Sequence, residues 1–358
     1  MENKRILVIN PGSTSTKIAV YQNNTPLFLK SINHSIDQLR QFDHISDQYQ
    51  FRKDIVLKEL EHAEIDLNSI SIVIGRGGLV KPIESGIYEV NEAMVNDLLE
   101  SPLGEHASNL GGLIAYDLAK SLSNARALIA DPVVVDEMHD VAKIAGHPKF
   151  KRYPVFHALN QKAIARSYAL SHDKKYEELN LIVAHMGGGI SVGAHCKGRV
   201  IDVNNALDGE GPFSPERSGT IPAGQLVNLC FDEKYSQDDI KKMIIGEGGL
   251  IAYLGTNDAY KVELRARAGE MEAKLIQDAM SYQVGKAIGE MATVLKGEVD
   301  AILLTGGIAN NTMVTDYIKS MVRFIAQVIV YPGEDEMKAL AQNAVRIIKG
   351  EVECKEYR

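Results

Sequence analysis

The chain has 358 residues, of which 45% are hydrophobic and 24% charged, so it is long enough to form two domains with well-packed cores. Its formal net charge of −8 argues against a nucleic-acid-binding surface, and its apolar runs are too short to span a membrane. Three widely spaced cysteines form no metal-binding pattern, and the N-terminus lacks a signal-peptide layout, which together predict a cytoplasmic protein.

The first predicted element is a β-hairpin near the N-terminus. Residues 6–9 are apolar and mostly β-branched, which indicates a buried strand, and residues 17–21 form the returning strand. The turn between them contains a proline, a glycine and several hydroxyl side chains. Its backbone N–H groups and Lys17 can cradle a phosphate, and the alternative is an ordinary hairpin with a polar turn.

Two further predicted strands in the first half of the chain are each followed by a charged residue. The strand over residues 71–74 leads to Arg76 in a glycine-rich loop, and the strand over 127–130 leads to Asp131. Ligands of α/β folds contact the carboxyl ends of parallel strands, so both side chains are candidates for a site. The alternatives are a surface arginine and a turn aspartate. Helices are predicted over residues 35–63, 91–100 and 107–121.

An irregular connection over residues 141–156 predicts a domain boundary, because it contains Gly146, Pro148 and Pro154. His157 then opens a helix, and a lone histidine in that place is most often structural.

The second half repeats the pattern of the first hairpin. Residues 181–194 form a strand, a glycine turn that follows His185, and a returning strand. A long helix over residues 271–296 leads to another strand and Gly306. The repetition indicates a duplicated α/β unit that binds nucleotide phosphates. Neither the P-loop pattern nor the Rossmann glycine pattern is present, which argues against those two folds.

The chain resembles the acetokinase family over nearly its whole length. The matching stretches occur in order at residues 8–17, 75–82, 105–111, 131–137, 156–160, 185–189, 217–219 and 305–308. The resemblance implies an α/β, two-domain actin-like fold, a duplicated ribonuclease-H-like fold with an active-site cleft between the domains. We expect an N-terminal domain of residues 1–155 plus about 337–358, and a C-terminal nucleotide-binding domain of residues 156–336.

The resemblance also implies an activity. The expected enzyme is a phosphotransferase with a carboxyl acceptor, which uses ATP and Mg²⁺ to convert butyrate reversibly to butyryl phosphate and ADP. Its only expected partners are small molecules and further copies of itself, in a homodimer or larger homo-oligomer. The alternatives are a kinase for branched or other short-chain fatty acids and a non-enzymatic actin-like nucleotide switch. Acyl-chain preference, physiological direction and oligomer size beyond a dimer stay open.

The family's functional roles transfer to individual positions. The expected catalytic residues, which contact the carboxylate or the transferring phosphoryl group or lie beside them, are Arg76, Asp131, His157, His185 and Arg217. The expected nucleotide-binding residues are Asn10, Ser13, Ser15, Lys17, Gly187, Gly188, Gly306, Gly307 and Ile308. Gly77 and Gly78 stand where acetate-phosphorylating members carry valines, so we expect them to widen the acyl pocket. The expected metal-associated residues are Asn10 and Glu336, although the run Glu334-Asp335-Glu336 leaves the choice of acid open.

Overall fold

The computed structural model describes residues 4–102 and 104–358. Its strands are β1 (Arg5–Pro11), β2 (Ser15–Gln22), β3 (Thr25–Asn33), β4 (Ile70–Arg76), β5 (Ile87–Glu89), β6 (Arg126–Ala130), β7 (Asn180–Met186), β8 (Ile190–Cys196), β9 (Arg199–Val203), β10 (Ala301–Gly306), β11 (Val328–Pro332) and β12 (Lys355–Glu356). Its α-helices are α1 (Ile36–Leu39), α2 (Tyr49–His62), α3 (Glu92–Glu100), α4 (Asn109–Ser121), α5 (Ala158–Ser171), α6 (Ala223–Cys230), α7 (Gln237–Ile244), α8 (Gly249–Leu254), α9 (Ala259–Arg267), α10 (Met271–Val294), α11 (Thr312–Val322) and α12 (Glu336–Ile348).

The chain divides into two compact units. Unit 1 comprises the chain up to Val135 together with Asp335–Arg358, and unit 2 comprises Asp136–Glu334. The division after Val135 comes earlier than the boundary predicted at residue 155. The connection that looked like a linker is hydrogen-bonded within unit 2: the backbone N–H of His139 donates to the carbonyl of Ile201 at 2.9 Å. Arg152 donates in addition to the carboxylate of Asp202 at 3.1 Å.

Unit 1 is built on a seven-stranded sheet in the order β12-β5-β6-β4-β1-β2-β3. Strands β1, β2 and β3 are antiparallel neighbours, whereas β1, β4 and β6 run parallel to one another. The core strand β1 is apolar and buried from Ile6 to Ile9, as its β-branched composition predicts. Helices α4 and α12 pack on this sheet.

Unit 2 repeats five consecutive strands of that sheet, from β3 at its edge to β6. Its five strands lie in the order β11-β10-β7-β8-β9, with β7, β8 and β9 antiparallel and β7, β10 and β11 parallel. The sequence β3-β2-β1-β4-β6 in unit 1 therefore corresponds strand for strand to β9-β8-β7-β10-β11 in unit 2. The duplication predicted from the two hairpins is present, and it places the hairpin turns at the carboxyl ends of the corresponding strands β1 and β7.

The long helix α10 contributes to the core of unit 2 in both of its halves, through Ala273 and Met280 and then through Val284, Ile288 and Met291. Met271 is 76% exposed and Leu275 is 66% exposed. In the N-terminal half of the helix, the core-facing positions are therefore offset from Met271 and Leu275. Over the residues that the structure describes, no helix is long and apolar enough to cross a membrane.

Candidate active site

The turn of the first hairpin presents backbone N–H groups outward. Asn10 and Lys17 face each other across β1 and β2, and Ser13 and Lys17 are exposed. The carbonyls of Gly12 and Ser13 point inward, where both accept hydrogen bonds from Arg52 at 2.7 Å and 2.9 Å. Because C=O and N–H lie on opposite sides of a trans peptide, the N–H groups that follow these carbonyls point away from Arg52. This is the arrangement that an anion-binding turn requires.

Arg52 is the side chain that holds this turn from below, and the sequence analysis did not identify it. It is 1% exposed, and it also donates to the carbonyl of Ser15 at 3.0 Å. In the described part of the chain no carboxylate pairs with its guanidinium. Burial lowers the pKa of Arg52 to about 10, so the group stays charged at neutral pH. A signal was present in the sequence, because Arg52, Val56 and Leu60 share one buried face of α2.

The three adjacent acids make different contacts, which follow from where α12 begins. Asp335 caps that helix by accepting from the backbone N–H of Lys338 at 2.9 Å. Glu336 follows it and accepts from Nδ2 of Asn10 at 2.7 Å. The same carboxylate pairs with Nη2 of Arg76 at 3.0 Å. Glu336 is therefore the acid beside Asn10, whereas Glu334 belongs to unit 2.

Glu336 and Asn10 could supply only a few protein ligands to a metal ion. Mg²⁺ in nucleotide-binding sites is often held by one or two carboxylates, several waters and the phosphates of the substrate. The single carboxylate of Glu336 with the amide of Asn10 matches that pattern. A cluster of three or more histidine, cysteine or acidic side chains, as an all-protein metal cage would need, is absent from residues 4–102 and 104–358.

Arg76 is the last residue of β4, and glycines around it allow close packing. A Cβ on Gly77 would lie 2.6 Å from Cβ of Pro132, and a Cβ on Gly78 would lie 2.4 Å from Oδ1 of Asn109. The space that a side chain would occupy at either position is thus filled by unit 1 itself. This packing explains the glycines without an acyl pocket, so their predicted place in such a pocket stays a prediction.

Asp131 directly follows β6 and lies in a strained, buried conformation. Its φ of 40° is in the left-handed region, and the residue is 2% exposed. Its Oδ1 accepts hydrogen bonds from Oγ of Ser85 at 2.6 Å and from the backbone N–H of Gly86 at 3.0 Å. Strained backbone of this kind is common at functional sites. Since Arg76 and Ala130 are register partners, Asp131 lies at the same sheet edge as Arg76.

Unit 2 brings the two predicted histidines together. The rings of His157 and His185 are stacked, with centroids 3.8 Å apart and an interplanar angle of 13°. Nδ1 of His185 contacts Oδ1 of Asn160 at 2.9 Å, and its Nε2 lies 3.3 Å from a carboxylate oxygen of Glu334. Nδ1 of His157 contacts Oγ of Ser191 at 2.8 Å. The two side chains therefore form one imidazole pair at the carboxyl end of β7.

Arg217 lies against the glycine turn that follows His185. A Cβ on Gly189 would lie 1.8 Å from Nη1 of Arg217, so only glycine leaves room for the guanidinium. Nη1 donates to the carbonyl of Ala206 at 2.7 Å. Burial lowers the pKa of Arg217, and the carboxylate of Glu216 opposes that shift. Among the described residues its other N–H groups have no partner, so they remain available for an anion.

The remaining predicted nucleotide-binding residues lie on the same edge of unit 2. Gly187 and Gly188 form the turn between β7 and β8, and Gly188 is exposed. Gly306 ends the neighbouring strand β10 with a φ of 90°, and a Cβ there would lie 2.3 Å from the carbonyl oxygen of Met186. Gly307 and Ile308 begin a short 3-10 helix directly after it.

Three comparisons with known proteins identify the family and the fold of the chain. The profile described as the acetokinase family matches residues 140–332. The chain is 53% identical over 354 residues to Butyrate kinase 2 of Clostridium acetobutylicum, which covers 99% of both chains. The structure of the present chain is similar to that of an acetate kinase from Porphyromonas gingivalis, with a TM-score of 0.78 and 20% identity. The match covers 96% of this chain and 100% of that one. A propionate kinase from Francisella tularensis gives a TM-score of 0.75 at 20% identity, with 95% and 98% covered. The predicted actin-like fold is confirmed, and the chain belongs to the acetokinase family.

Proposed function

We propose that this protein catalyses the ATP-dependent phosphorylation of butyrate, a reversible transfer that gives butyryl phosphate and ADP. The observation that carries the proposal is the identity of 53% over 99% of the chain to a protein named as a butyrate kinase. The described side chains are the second support, because both units present cations and hydrogen-bond donors suited to anionic substrates.

The reaction places demands that these side chains meet. A carboxylate is ionised at neutral pH, since carboxyl pKa values lie near about 4, so it needs no general base to attack the γ-phosphorus of ATP. A P–O bond forms to the carboxylate oxygen, and the bond to the ADP oxygen breaks. The main obstacle is repulsion between the two anions. Arg76, Arg217 and Lys17 would counter it, because preorganised cations stabilise charge on a transferring phosphoryl group.

The other predicted residues take supporting roles in this proposal. The imidazoles of His157 and His185 would donate hydrogen bonds to phosphoryl oxygens. Asn10 and Glu336 would hold Mg²⁺, which supplies charge neutralisation on the phosphates when bound. The hairpin residues Ser13 and Ser15 would contact phosphates. Nucleotide contacts in unit 2 would come from Gly187, Gly188, Gly306, Gly307 and Ile308. Because the substrate carboxylate is already ionised, Asp131 is not required as a base. Its Oδ1 accepts hydrogen bonds from Ser85 and Gly86, and the residue would orient water, metal or arginine.

The proposal extends to the state of the protein in the cell. A homodimer or larger homo-oligomer in the cytoplasm follows from the family resemblance. Sedimentation equilibrium on the purified chain would test the assembly, and a monomer at micromolar concentration would contradict it.

Trapping of the product tests the activity directly. Hydroxylamine converts acyl phosphates to hydroxamates, which form coloured complexes with added ferric ion. Purified protein is therefore assayed with ATP, Mg²⁺ and a series of acids: acetate, propionate, butyrate, isobutyrate and valerate. We expect the highest kcat/KM with butyrate and no product from the variant Arg217→Ala above a small residual rate. A higher kcat/KM for another acid would reassign the substrate, and no hydroxamate from any acid would overturn the proposal.

A further inference from the structure

A buried chain of polar side chains lies behind His157 in unit 2. We call it the relay, and its members, each 0% to 4% exposed, are Ser191, Gln161, His195 and Tyr176. Oγ of Ser191 contacts Nδ1 of His157 at 2.8 Å, and Nε2 of Gln161 contacts the same Oγ at 2.8 Å. Oε1 of Gln161 contacts Nε2 of His195 at 2.9 Å, and Nδ1 of His195 contacts the hydroxyl of Tyr176 at 2.7 Å.

The backbone sets the direction of the hydrogen bonds along the relay. Nε2 of Gln161 lies 3.1 Å from the carbonyl oxygen of Ser191, which can only accept. The amide nitrogen of Gln161 is thereby placed toward Ser191, and its oxygen faces His195. Since an amide oxygen can only accept, Nε2 of His195 carries a proton.

The far end of the relay is consistent with that direction. Burial, together with the charges of Lys162 and Arg166, keeps the pKa of His195 well below its ordinary value, so its ring is neutral. A neutral imidazole protonated on Nε2 accepts on Nδ1. The hydroxyl of Tyr176 therefore donates to His195, and each contact of the relay pairs one donor with one acceptor.

At the near end of the relay, the hydrogen bonds of Ser191 determine which ring nitrogen of His157 accepts. Its Oγ accepts from Gln161 and lies 3.4 Å from the backbone N–H of His157, which is also a donor. The single hydroxyl hydrogen of Ser191 must then go to Nδ1 of His157. A neutral imidazole that accepts on Nδ1 carries its proton on Nε2.

We propose that the relay holds His157 in the tautomer with its proton on Nε2, so that this nitrogen donates a hydrogen bond to the transferring phosphoryl group. Gln161 and Ser191 are positioning residues, since they act through His157. The phosphoryl contact rests on the proposed function, whereas the tautomer rests on the relay alone.

A glycine within β8 supports the relay independently. Glycine inside a strand weakens it and often marks the close approach of another group. A Cβ on Gly193 would lie 2.7 Å from Oε1 of Gln161. The strand thus leaves at this position the space that the Gln161 amide needs to reach both Ser191 and His195.

The test reads the tautomer by NMR on the full chain labelled with ¹⁵N-histidine. The His157→Asn spectrum identifies the His157 signals, and the ¹⁵N shifts distinguish a protonated Nε2 from a protonated Nδ1. In the wild type we expect the proton on Nε2. In Gln161→Leu and Ser191→Ala we expect shifts that move toward a mixture of the two tautomers. The control Gln277→Leu removes an equally buried amide from α10 of the same unit and should leave the His157 signals unchanged.

Kinetics on the same variants test the consequence. We expect kcat to fall at least about tenfold in Gln161→Leu, with KM for ATP and butyrate within about threefold, because an incorrectly set tautomer costs other enzymes up to about 10⁴-fold. A wild-type His157 protonated on Nδ1 would overturn the relay without any variant. An unchanged tautomer in both variants would overturn it equally, and an altered tautomer with unchanged kcat would remove its role in turnover. Full activity of His157→Asn would instead refute the phosphoryl contact of the proposed function while leaving the NMR result intact.

Discussion

The two hairpin turns occupy corresponding places in the duplicated sheets, and each lies against an arginine, which is fully buried in unit 1 and half-buried in unit 2. The two arginines use their donors differently. Arg52 directs its guanidinium at the carbonyls of Gly12, Ser13 and Ser15 in unit 1. Arg217 in unit 2 makes one hydrogen bond, to the carbonyl of Ala206, and keeps its other N–H groups unpaired among the described residues.

This difference indicates that Arg52 shapes the turn of unit 1, whereas Arg217 can bind a ligand. A guanidinium has five N–H donors in a rigid fork, and a site that occupies them with backbone carbonyls fixes the backbone. A site that leaves most of them unpaired retains a cation able to bind a carboxylate or a phosphoryl group through two parallel hydrogen bonds. We therefore expect loss of Arg217 to affect turnover and loss of Arg52 to affect stability.

The largest effect is expected for Arg217→Ala. Removing a preorganised cation from a phosphoryl-transfer site costs about 10³-fold or more in kcat. The melting temperature should change little, since a single backbone hydrogen bond is lost. The hydroxamate assay and a thermal melt on the same preparation measure both quantities. Retention of more than a tenth of the wild-type kcat would show that the spare donors of Arg217 serve no phosphoryl or carboxylate group.

Arg52→Met should produce the reverse pattern, with a large loss of stability. Hydrogen bonds to charged groups contribute about 1.5–3 kcal/mol each, and the substitution leaves three inward carbonyls without their donor. A destabilisation of about 3 kcal/mol would lower the melting temperature by about 6–12 °C in a unit of this size. Arg52→Lys is the matched variant, because it keeps the charge but cannot span the carbonyls. If the lysine variant melts like the wild type, charge rather than the hydrogen-bonding fork supports the turn.

Patterns local in the chain made much of this fold predictable. Strands β1, β2, β4 and β7 are recognisable from short apolar, β-branched runs that end in glycine turns. Helices α3 and α4 begin within two residues of their predicted starts. Strand β12, by contrast, is two residues long, and its place beside β5 at the sheet edge depends on a tertiary contact that no local pattern encodes.

Site features that join distant parts of the chain were missed for the same reason. Ser191 and Gln161 are separated by 30 residues, and their contact exists only because α5 packs beside β7 and β8. The choice of Glu336 over its neighbours depends on Asp335 being the cap of α12. The place of Gly77 and Gly78 in an acyl pocket stays a prediction, and the packing of Pro132 and Asn109 against them is a tertiary contact that no local pattern encodes.

Lys17→Ala should give a smaller, purely functional effect at the first hairpin. Lys17 is an exposed point charge beside the outward N–H groups of the turn, so we expect kcat/KM for ATP to fall about tenfold without a change in melting temperature. Lys30→Ala is the control, because Lys30 is a comparably exposed lysine on β3 that pairs with Glu59. Equal kinetics for the two variants would mean that the first turn binds no phosphate.

The smallest effect is expected for His34, a buried histidine near the same turn whose protonation is coupled to folding. His34 contacts Oγ1 of Thr16 at 2.8 Å, stacks edge-on against Phe51 and is buried with Nδ1 unpaired among the described residues. Burial, with a contribution from the charge of Arg52, lowers the pKa of His34 from 6.5 to about 4.

Because that pKa is lowered by folding, the unfolded chain binds the His34 proton first as the solution is acidified. The contribution of neutral His34 to stability is therefore complete above about pH 6.5 and is lost as the pH falls toward 4. We expect His34→Gln to flatten the pH dependence of the unfolding free energy in this window, as measured by urea titration. Arg52→Met should also flatten it, since removal of the neighbouring charge lets the pKa of His34 rise. Identical slopes for the wild type and His34→Gln would show that the histidine is not linked to folding and that Arg52 holds the turn without it.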